Sequence, residues 1–201
     1  MTGGGEAPAA LGERAPTLRF SVDVSGARGV VGVFGGVTDP SRGMVSVALR
    51  AQLPLVERPT FRLDYTGGLV PVELAQGTRV PAPGPFLAPV SETVYGAGLD
   101  IVGLMARFRG SSWWHPFLTA RGGFRVFTAS VPNPRGTPFN FSADVGGGVA
   151  LRAGPGHWLI LRLELHHLSN GGLGAANPSL NQLSVGIGLE GPRKGGVRRR
   201  S

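Results

Sequence analysis

The sequence predicts an all-β fold, and within that class an eight-stranded antiparallel up-and-down transmembrane β-barrel. Apolar residues recur at every second position along nearly all of the 201 residues, which is the period of strands whose two faces meet different surroundings. The chain also contains 34 glycines and 17 prolines, a content that disfavours long helices. Charged residues of both signs recur at the centres of the predicted strands, on the face opposite the apolar one.

Each of the eight strands is predicted from its own alternation. The apolar faces of the first four strands run from Leu18 to Val24, Val45 to Ala51, Phe61 to Tyr65 and Tyr95 to Met105. Those of the last four run from Trp114 to Ala120, Phe139 to Leu151, Leu159 to Leu165 and Leu183 to Leu189. Clusters of glycine and proline mark the turns between strands. The longest irregular stretch, Gly77–Ser91, is predicted to be an external loop.

The alternation by itself fits two architectures. In a soluble β-barrel the apolar face forms the interior and binds a small apolar ligand, whereas in a membrane barrel it meets lipid and the charges fill the lumen. Several segments exceed the ~9–11 residues that a strand needs to cross a bilayer, which favours the membrane barrel. Aromatic residues near the segment ends favour it as well, because interfacial girdles form there. These aromatic residues are Tyr95, Trp113, Trp114, Phe139 and Trp158.

One barrel domain, residues 17–190, is predicted between a disordered N-terminal end, residues 1–16, and a basic disordered tail, residues 191–201. The tail supplies much of the formal net charge of +8, and it is either a solvated charge run or a contact for anionic lipid headgroups. The absence of cysteine excludes disulfides and thiolate metal sites. The sequence contains no run of ~18 apolar residues, so no transmembrane helix is predicted. Residues 1–16 lack the basic start and apolar core of a secretory signal peptide.

A histidine and a serine extend the apolar face of the seventh strand. His167 and Ser169 continue the odd-numbered series of Leu159–Leu165, so that they share its face. Histidine is suited to act as a general base, and it activates a serine hydroxyl by taking its proton. Residues two apart on one strand face have Cβ atoms ~6–7 Å apart, so the two side chains can lean into a hydrogen bond. This placement fits an enzyme that acts on lipid inside a membrane better than a soluble enzyme.

The residues that follow offer the other groups that acyl transfer requires. Asn170 has a side-chain amide, and Gly171 and Gly172 have unhindered backbone N–H groups that can face an oxyanion. Asn181 falls on the same face of the next strand, where a short hairpin brings it beside His167 and its carbonyl can accept the imidazole N–H. The alternative interpretation is that Ser-Asn-Gly-Gly is an ordinary turn sequence.

The segment His167-x-Ser169-Asn170-x-Gly172, near the start of the last hairpin, resembles the lipid A 3-O-deacylases, the PagL-type outer-membrane acyl hydrolases. Three upstream segments look like the pattern of the same family: Tyr95–Gly98, His115–Phe117 and Val131–Pro132 leading to Phe139–Phe141. The resemblance covers roughly residues 92–190 and is most specific in the final motif. It implies an eight-stranded outer-membrane barrel whose site lies on the lipid-facing exterior.

Carried over by position, the resemblance implies a Ser/His mechanism of ester hydrolysis. Ser169 would be the nucleophile, His167 the general base, and Asn170 and Gly172 the oxyanion hole. Family members place a glutamate as the third member of the triad, and Asn181 stands at the matching position here. This departure leaves three options open: a weaker orienting group for the histidine, a carboxylate recruited from elsewhere, or an inactive relative.

The resemblance also implies partners and a location. We expect lipid A of lipopolysaccharide and membrane lipid as partners, an outer-membrane location, no cofactor and no metal, and a homodimer as one form of assembly. No aromatic-interleaved basic motif points to nucleic acid. The sequence is also compatible with two other functions. One is a structural or adhesive membrane barrel with a decayed site, which Asn181 favours, and the other is the soluble barrel that binds an apolar ligand.

Overall fold

Eight antiparallel strands close into a barrel in the computed structural model, which describes residues 18–30, 42–79 and 90–192. In chain order the strands are β1 (Arg19–Gly29), β2 (Gly43–Glu57), β3 (Phe61–Arg79), β4 (Val90–Phe108), β5 (Trp114–Val131), β6 (Thr137–Gly154), β7 (His157–Ser169) and β8 (Ser179–Pro192). Each strand pairs with its neighbours in sequence, and β8 returns to β1. The predicted fold class is therefore confirmed. Among the described residues, no helix is long and apolar enough to cross a membrane.

The two chain ends that are predicted to be disordered lie largely outside the described residues. Residues 1–16 lie outside the described residues, as do residues 193–201 of the predicted basic tail. The disorder predicted for these two segments therefore stays a prediction. The barrel itself includes the first two residues assigned to the tail, because β8 continues to Pro192.

The barrel turns its apolar residues outward and its charges inward. On β7, Leu163 is 52% exposed, whereas the neighbouring Arg162 and Glu164 are 5% and 4% exposed. On β8, Val185 is 63% exposed and Ser184 is buried. Because apolar side chains on an outer surface are stable only against lipid, this arrangement contradicts the soluble barrel with an apolar interior.

Paired charges fill the middle of the lumen. Arg121 donates two hydrogen bonds to Glu164, of 2.9 and 2.7 Å. Asp23 accepts hydrogen bonds from Arg50 at 2.8 Å and from Arg162 at 2.5 Å. Each of these charges faces an opposite charge, as groups removed from water require. The barrel is narrow enough for these side chains to fill it, and the cavity left among them in the described part of the lumen is about 20 Å³.

An apolar cluster closes the lumen at the end of the barrel where β7 finishes and β8 begins. Leu168 and Leu180 belong to it and are completely buried. Burial of each such leucine contributes about 2 kcal/mol. Since each lies next to a predicted site residue in sequence, the cluster anchors both strands from inside the barrel. The other buried members are Met44, Ala75, Val94, Phe127 and Val131.

Irregularities in pairing change the faces of β3 and β4. The register shifts between Val70 and Glu73 on β3, and between Asp100 and Val102 on β4. Beyond the shift on β4, Met105 faces the lumen and is 1% exposed, so its prediction on the apolar outer face is wrong. The predicted loop 77–91 is shorter than expected, because β3 continues to Arg79 and β4 begins at Val90. A bulge adds one residue to a strand and thereby reverses the alternation beyond it.

Exposed aromatic residues lie near both ends of the strands, as expected at the two membrane–water interfaces. Tyr95 and Trp113 are both well exposed. Trp158 differs, because even-numbered residues of β7 face the lumen. Its ring packs against an interior apolar cluster, and its centroid lies 4.8 Å from that of His115. The prediction that Trp158 belongs to the outer girdle is therefore wrong.

Candidate active site

His167 and Ser169 lie on the outer surface of the barrel, at the last two outward positions of β7. Both are half-buried, and the outward residues that precede them on β7 are the leucines of Leu159–Leu165. The site is at the barrel end that has the longer connections, residues 170–178 among them. The serine and histidine thus occupy the edge of the apolar outer surface.

A hydrogen bond links His167 to the neighbouring strand. His167 and Asn181 are directly opposite each other in the pairing of β7 with β8. His167 Nδ1 donates to Asn181 Oδ1 at 2.6 Å, and Asn181 is 1% exposed. A proton held on Nδ1 leaves the lone pair of the neutral imidazole on Nε2. The contact therefore fixes the ring in the tautomer that a general base requires.

Ser169 lies between an aromatic residue and a second serine. Its partner on β6 is Phe141, and its partner on β8 is Ser179. Among the described residues, no hydrogen bond joins the Ser169 hydroxyl to His167. The predicted hydrogen bond between these two side chains is therefore not formed in this structure. Such hydrogen bonds often tighten only when substrate binds.

Asn170 stabilises the turn that follows Ser169 through hydrogen bonds of its backbone and its side chain, and in this sense it clamps the turn. The Leu173 N–H donates to the Asn170 carbonyl at 3.1 Å, with φ values of 62° at Gly171 and 82° at Gly172. Positive φ at both central residues is the signature of a type I′ turn. The Asn170 side chain accepts a hydrogen bond from the Gly172 N–H at 3.0 Å and donates to the Ala176 carbonyl at 2.8 Å. In this structure the two predicted oxyanion donors are thus bonded to each other.

The turn geometry makes Gly171 a sensitive position. A Cβ at Gly171 would lie 2.9 Å from the Phe141 ring, on a backbone with a φ of +62°. We expect Gly171→Ala to destabilise the protein by about 1–2 kcal/mol from the left-handed backbone alone, with the clash in addition. Equilibrium unfolding by urea in lipid vesicles measures this change.

Substitutions at two further glycines separate the backbone strain from the clash with Phe141. Gly172→Ala introduces the same backbone strain at a φ of +82° but meets nothing within 4 Å. Gly154→Ala, at the end of β6, also meets nothing within 4 Å and lies at an ordinary φ. The expected order of destabilisation is Gly171, then Gly172, then Gly154. Equal stabilities of the three variants would contradict the turn assignment.

Three phenylalanines form an aromatic platform beside Ser169 on the outer surface. The rings of Phe139 and Phe141 meet edge to face with centroids 5.2 Å apart, and Phe124 stacks on Phe139 at 5.7 Å. Phe124 lies directly opposite Phe141 in the pairing of β5 with β6. Sequence reasoning missed Phe124, because its proximity depends on the register between two strands. Aromatic residues at alternate positions of the β6 segment were the only signal in the sequence.

His166, next to the candidate base, faces the lumen instead of the lipid. Its Nδ1 lies 2.7 Å from an Asp144 carboxylate oxygen, and its Nε2 lies 3.7 Å from Glu73. His166 is thus part of the lumen charge network and cannot reach Ser169. Within the described ranges, no group of three or more histidine or acidic side chains is arranged to hold a metal ion.

Comparisons with known proteins point to one family. A family model described as lipid A 3-O-deacylase (PagL) matches residues 47–190. The crystal structure of the outer membrane enzyme PagL superposes with a TM-score of 0.57 at 18% sequence identity, covering 85% of this chain and 99% of that chain. Neisserial surface protein A gives a TM-score of 0.49 at 13% identity, covering 88% and 97%. None of the curated proteins matches the sequence.

The family match covers most of the chain and the whole candidate site. Residues 47–190 run from within β2 to near the end of β8. The structural match at 18% identity independently shows the same barrel fold. Since the matched segment spans more than half of the sequence, this chain belongs to the lipid A 3-O-deacylase (PagL) family of outer-membrane β-barrel proteins.

Proposed function

We propose that this chain is an outer-membrane serine esterase that removes an ester-linked 3-hydroxyacyl chain from lipid A of lipopolysaccharide. The observation that carries the proposal is the 2.6 Å hydrogen bond from His167 to Asn181 on the outer surface of the barrel. Ser169 follows two residues later on the same face. A base held in the required tautomer beside a serine is the minimal arrangement for nucleophilic acyl transfer.

The depth of the site suits an ester of a lipid. In outer-membrane barrels the short turns face the periplasm and the longer loops face outward, which supports a position of this site in the outer leaflet. The outward residues of β7 are leucines up to Leu165 and become polar at His167. The ester bonds of a membrane lipid lie at this same boundary, between headgroup and acyl chains. A substrate therefore reaches Ser169 without leaving the bilayer.

The chemical steps follow from the two side chains. Ser169 Oγ attacks the ester carbonyl carbon while His167 Nε2 takes the hydroxyl proton. The tetrahedral intermediate collapses, and His167 returns the proton to the departing sugar oxygen, leaving an acyl group on Ser169. A water molecule then attacks this acyl-enzyme with His167 again as base. The products are the 3-hydroxy fatty acid and the free serine. No cofactor takes part in any step.

The proposed oxyanion donors are Asn170 and Gly172. For the Gly172 N–H to stabilise the developing negative charge, it exchanges its present acceptor, Asn170 Oδ1, for the oxyanion. One N–H of the Asn170 carboxamide keeps its bond to the Ala176 carbonyl, and the second N–H of the same group is the one that faces the oxyanion. The aromatic platform of Phe124, Phe139 and Phe141 offers an apolar surface for the acyl chain that is transferred to Ser169.

Lipid A composition in cells tests this function. We expect that expression of the chain in a bacterium without such an activity removes one 3-hydroxyacyl chain from its lipid A, as a mass loss in mass spectrometry. Heat-modifiable gel mobility of the same preparation checks that the barrel is folded in the outer membrane. A folded barrel that leaves every acyl chain in place would refute the esterase proposal.

A second candidate function follows from Asn181. A neutral amide cannot stabilise an imidazolium as a carboxylate does. A folded family member with this residue is therefore also compatible with a structural outer-membrane barrel whose site has lost its activity. Restoration of the carboxylate separates the two candidates, and assembly as a homodimer stays a prediction for either.

A further inference from the structure

Arg28 is an exposed arginine on the lipid-facing outer surface of the barrel. It occupies the last outward position of β1, above the outward residues Phe20, Val22, Val24 and Gly26. Within the described part of the chain, its guanidinium forms no hydrogen bond or ion pair. Along β1 the outer surface is apolar until Arg28, so this cation marks the edge of the apolar band, where long basic side chains reach lipid headgroups.

Arg28 and the candidate catalytic residues lie at the same edge of the apolar band. Arg28 pairs with Leu183 on β8, and His167 pairs with Asn181, two residues from Leu183. The Cα atoms of Arg28 and His167 are about 12 Å apart, because β8 lies between their strands and the two residues differ by two positions along the strand direction. A sugar headgroup and an arginine side chain together span this distance.

An amphipathic groove of about 860 Å³ runs along the outer surface below Arg28. Its floor is apolar and is kept open by two glycines, Gly26 on β1 and Gly43 on β2. Its upper rim is polar. Val45, Leu183 and Val185 line the floor, and Arg28, Gln76 and Thr78 line the rim. An apolar trough below a cationic rim has the distribution of polarity of an anionic lipid: an acyl chain below and a charged headgroup above.

We propose that Arg28 binds a phosphate group on the sugar headgroup of the lipid A substrate, while an uncleaved acyl chain of that lipid occupies the groove. This inference rests on the proposed function. The guanidinium can bind phosphate oxygens with two parallel N–H bonds, and phosphate is the charged group that the lipid A headgroup carries. Arg28 thereby sets which ester of the substrate faces Ser169.

Binding of phosphorylated and dephosphorylated lipid A in detergent micelles tests the inference. The Ser169→Ala protein is used as the background, so that the substrate is not consumed and binding is measured whether or not the chain is an esterase. We expect Arg28→Gln to weaken binding of phosphorylated lipid A about tenfold. The same substitution leaves binding of the dephosphorylated lipid unchanged. Arg28→Lys keeps the charge but loses the paired N–H bonds, so it weakens binding of the phosphorylated lipid less than Arg28→Gln does.

Arg152→Gln is the matched control, since Arg152 is an exposed arginine near the opposite end of the barrel on β6. It is expected to bind both lipids like the background protein. Equal losses with both lipids, or no loss with either, would overturn the role of Arg28. Equal weakening by Arg152→Gln would show an effect of net charge and would overturn it as well. If the protein binds lipid A in a phosphate-dependent way but cleaves no ester, the role of Arg28 in phosphate binding is supported and only the esterase proposal is contradicted.

Discussion

Replacement of Ser169 by alanine is expected to lower the rate of lipid A deacylation by roughly 10⁵ or more. Without the hydroxyl no acyl-enzyme forms, and His167 alone has no attacking atom to activate. The substitution removes one oxygen on the outer surface, so the barrel folds as before. Release of fatty acid from purified lipid A in detergent, compared at equal concentrations of folded protein, measures the effect.

Ser179 offers a matched control for that experiment. It lies directly opposite Ser169 on β8 and is 3% exposed, so the two serines are neighbours in the pairing of β7 with β8. Ser179→Ala is expected to retain most of the activity. If Ser169→Ala deacylates lipid A at the wild-type rate, Ser169 is not the nucleophile. If only Ser179→Ala is inactive, the nucleophile has been assigned to the wrong strand.

Replacement of Asn181 by aspartate is expected to raise the deacylation rate roughly ten- to a thousandfold. Aspartate has the shape of asparagine, so its carboxylate oxygen takes the place of Oδ1, 2.6 Å from His167 Nδ1. The added negative charge stabilises the imidazolium that forms when Ser169 is deprotonated, as a neutral amide cannot. Single-turnover release of the acyl chain measures the change in the chemical step.

Asn181→Leu separates orientation from charge. It removes the acceptor of the His167 hydrogen bond at a similar side-chain volume, so we expect the rate to fall roughly tenfold or more below wild type. An order of Asp above Asn above Leu supports the proposed role of Asn181. Activity of the aspartate variant in an inactive parent would favour the structural barrel instead. Equal rates for all three residues would show that Asn181 does not act through His167.

Much of the fold was predictable from the sequence because the period of a strand is local. Alternation along Leu159–Leu165 indicates which residues share a face before any partner strand is known, and it places His167 and Ser169 on that face. The choice between a membrane barrel with lipid outside and a soluble barrel with an apolar interior required the tertiary structure. Charged residues on the other face, among them Arg162 and Glu164, fit either case until the barrel shows that they are paired in the lumen.

The predictions that were wrong or missing concern the strands in which a bulge interrupts the alternation. Met105 was expected beside Leu99 on the outer face, but the bulge between them sends it into the lumen. The second half of β3 was not predicted, because its inward residues change from even to odd numbers between Val70 and Glu73. A sequence pattern records the faces of a regular strand, whereas a bulge is recognised only through its partner strand.

The sequence by itself determined the residue types of the site and the surface on which they lie, since both follow from neighbours on a single strand. Tertiary structure decided how those residues are connected. The register of β7 and β8 sets the hydrogen bond from His167 to Asn181, and the turn places Asn170 as a clamp on Gly172. Pairing of β5 with β6 assembles the platform of Phe124 and its neighbours. These contacts join residues through strand register and side-chain conformation, which the closing of the barrel determines and no local pattern contains.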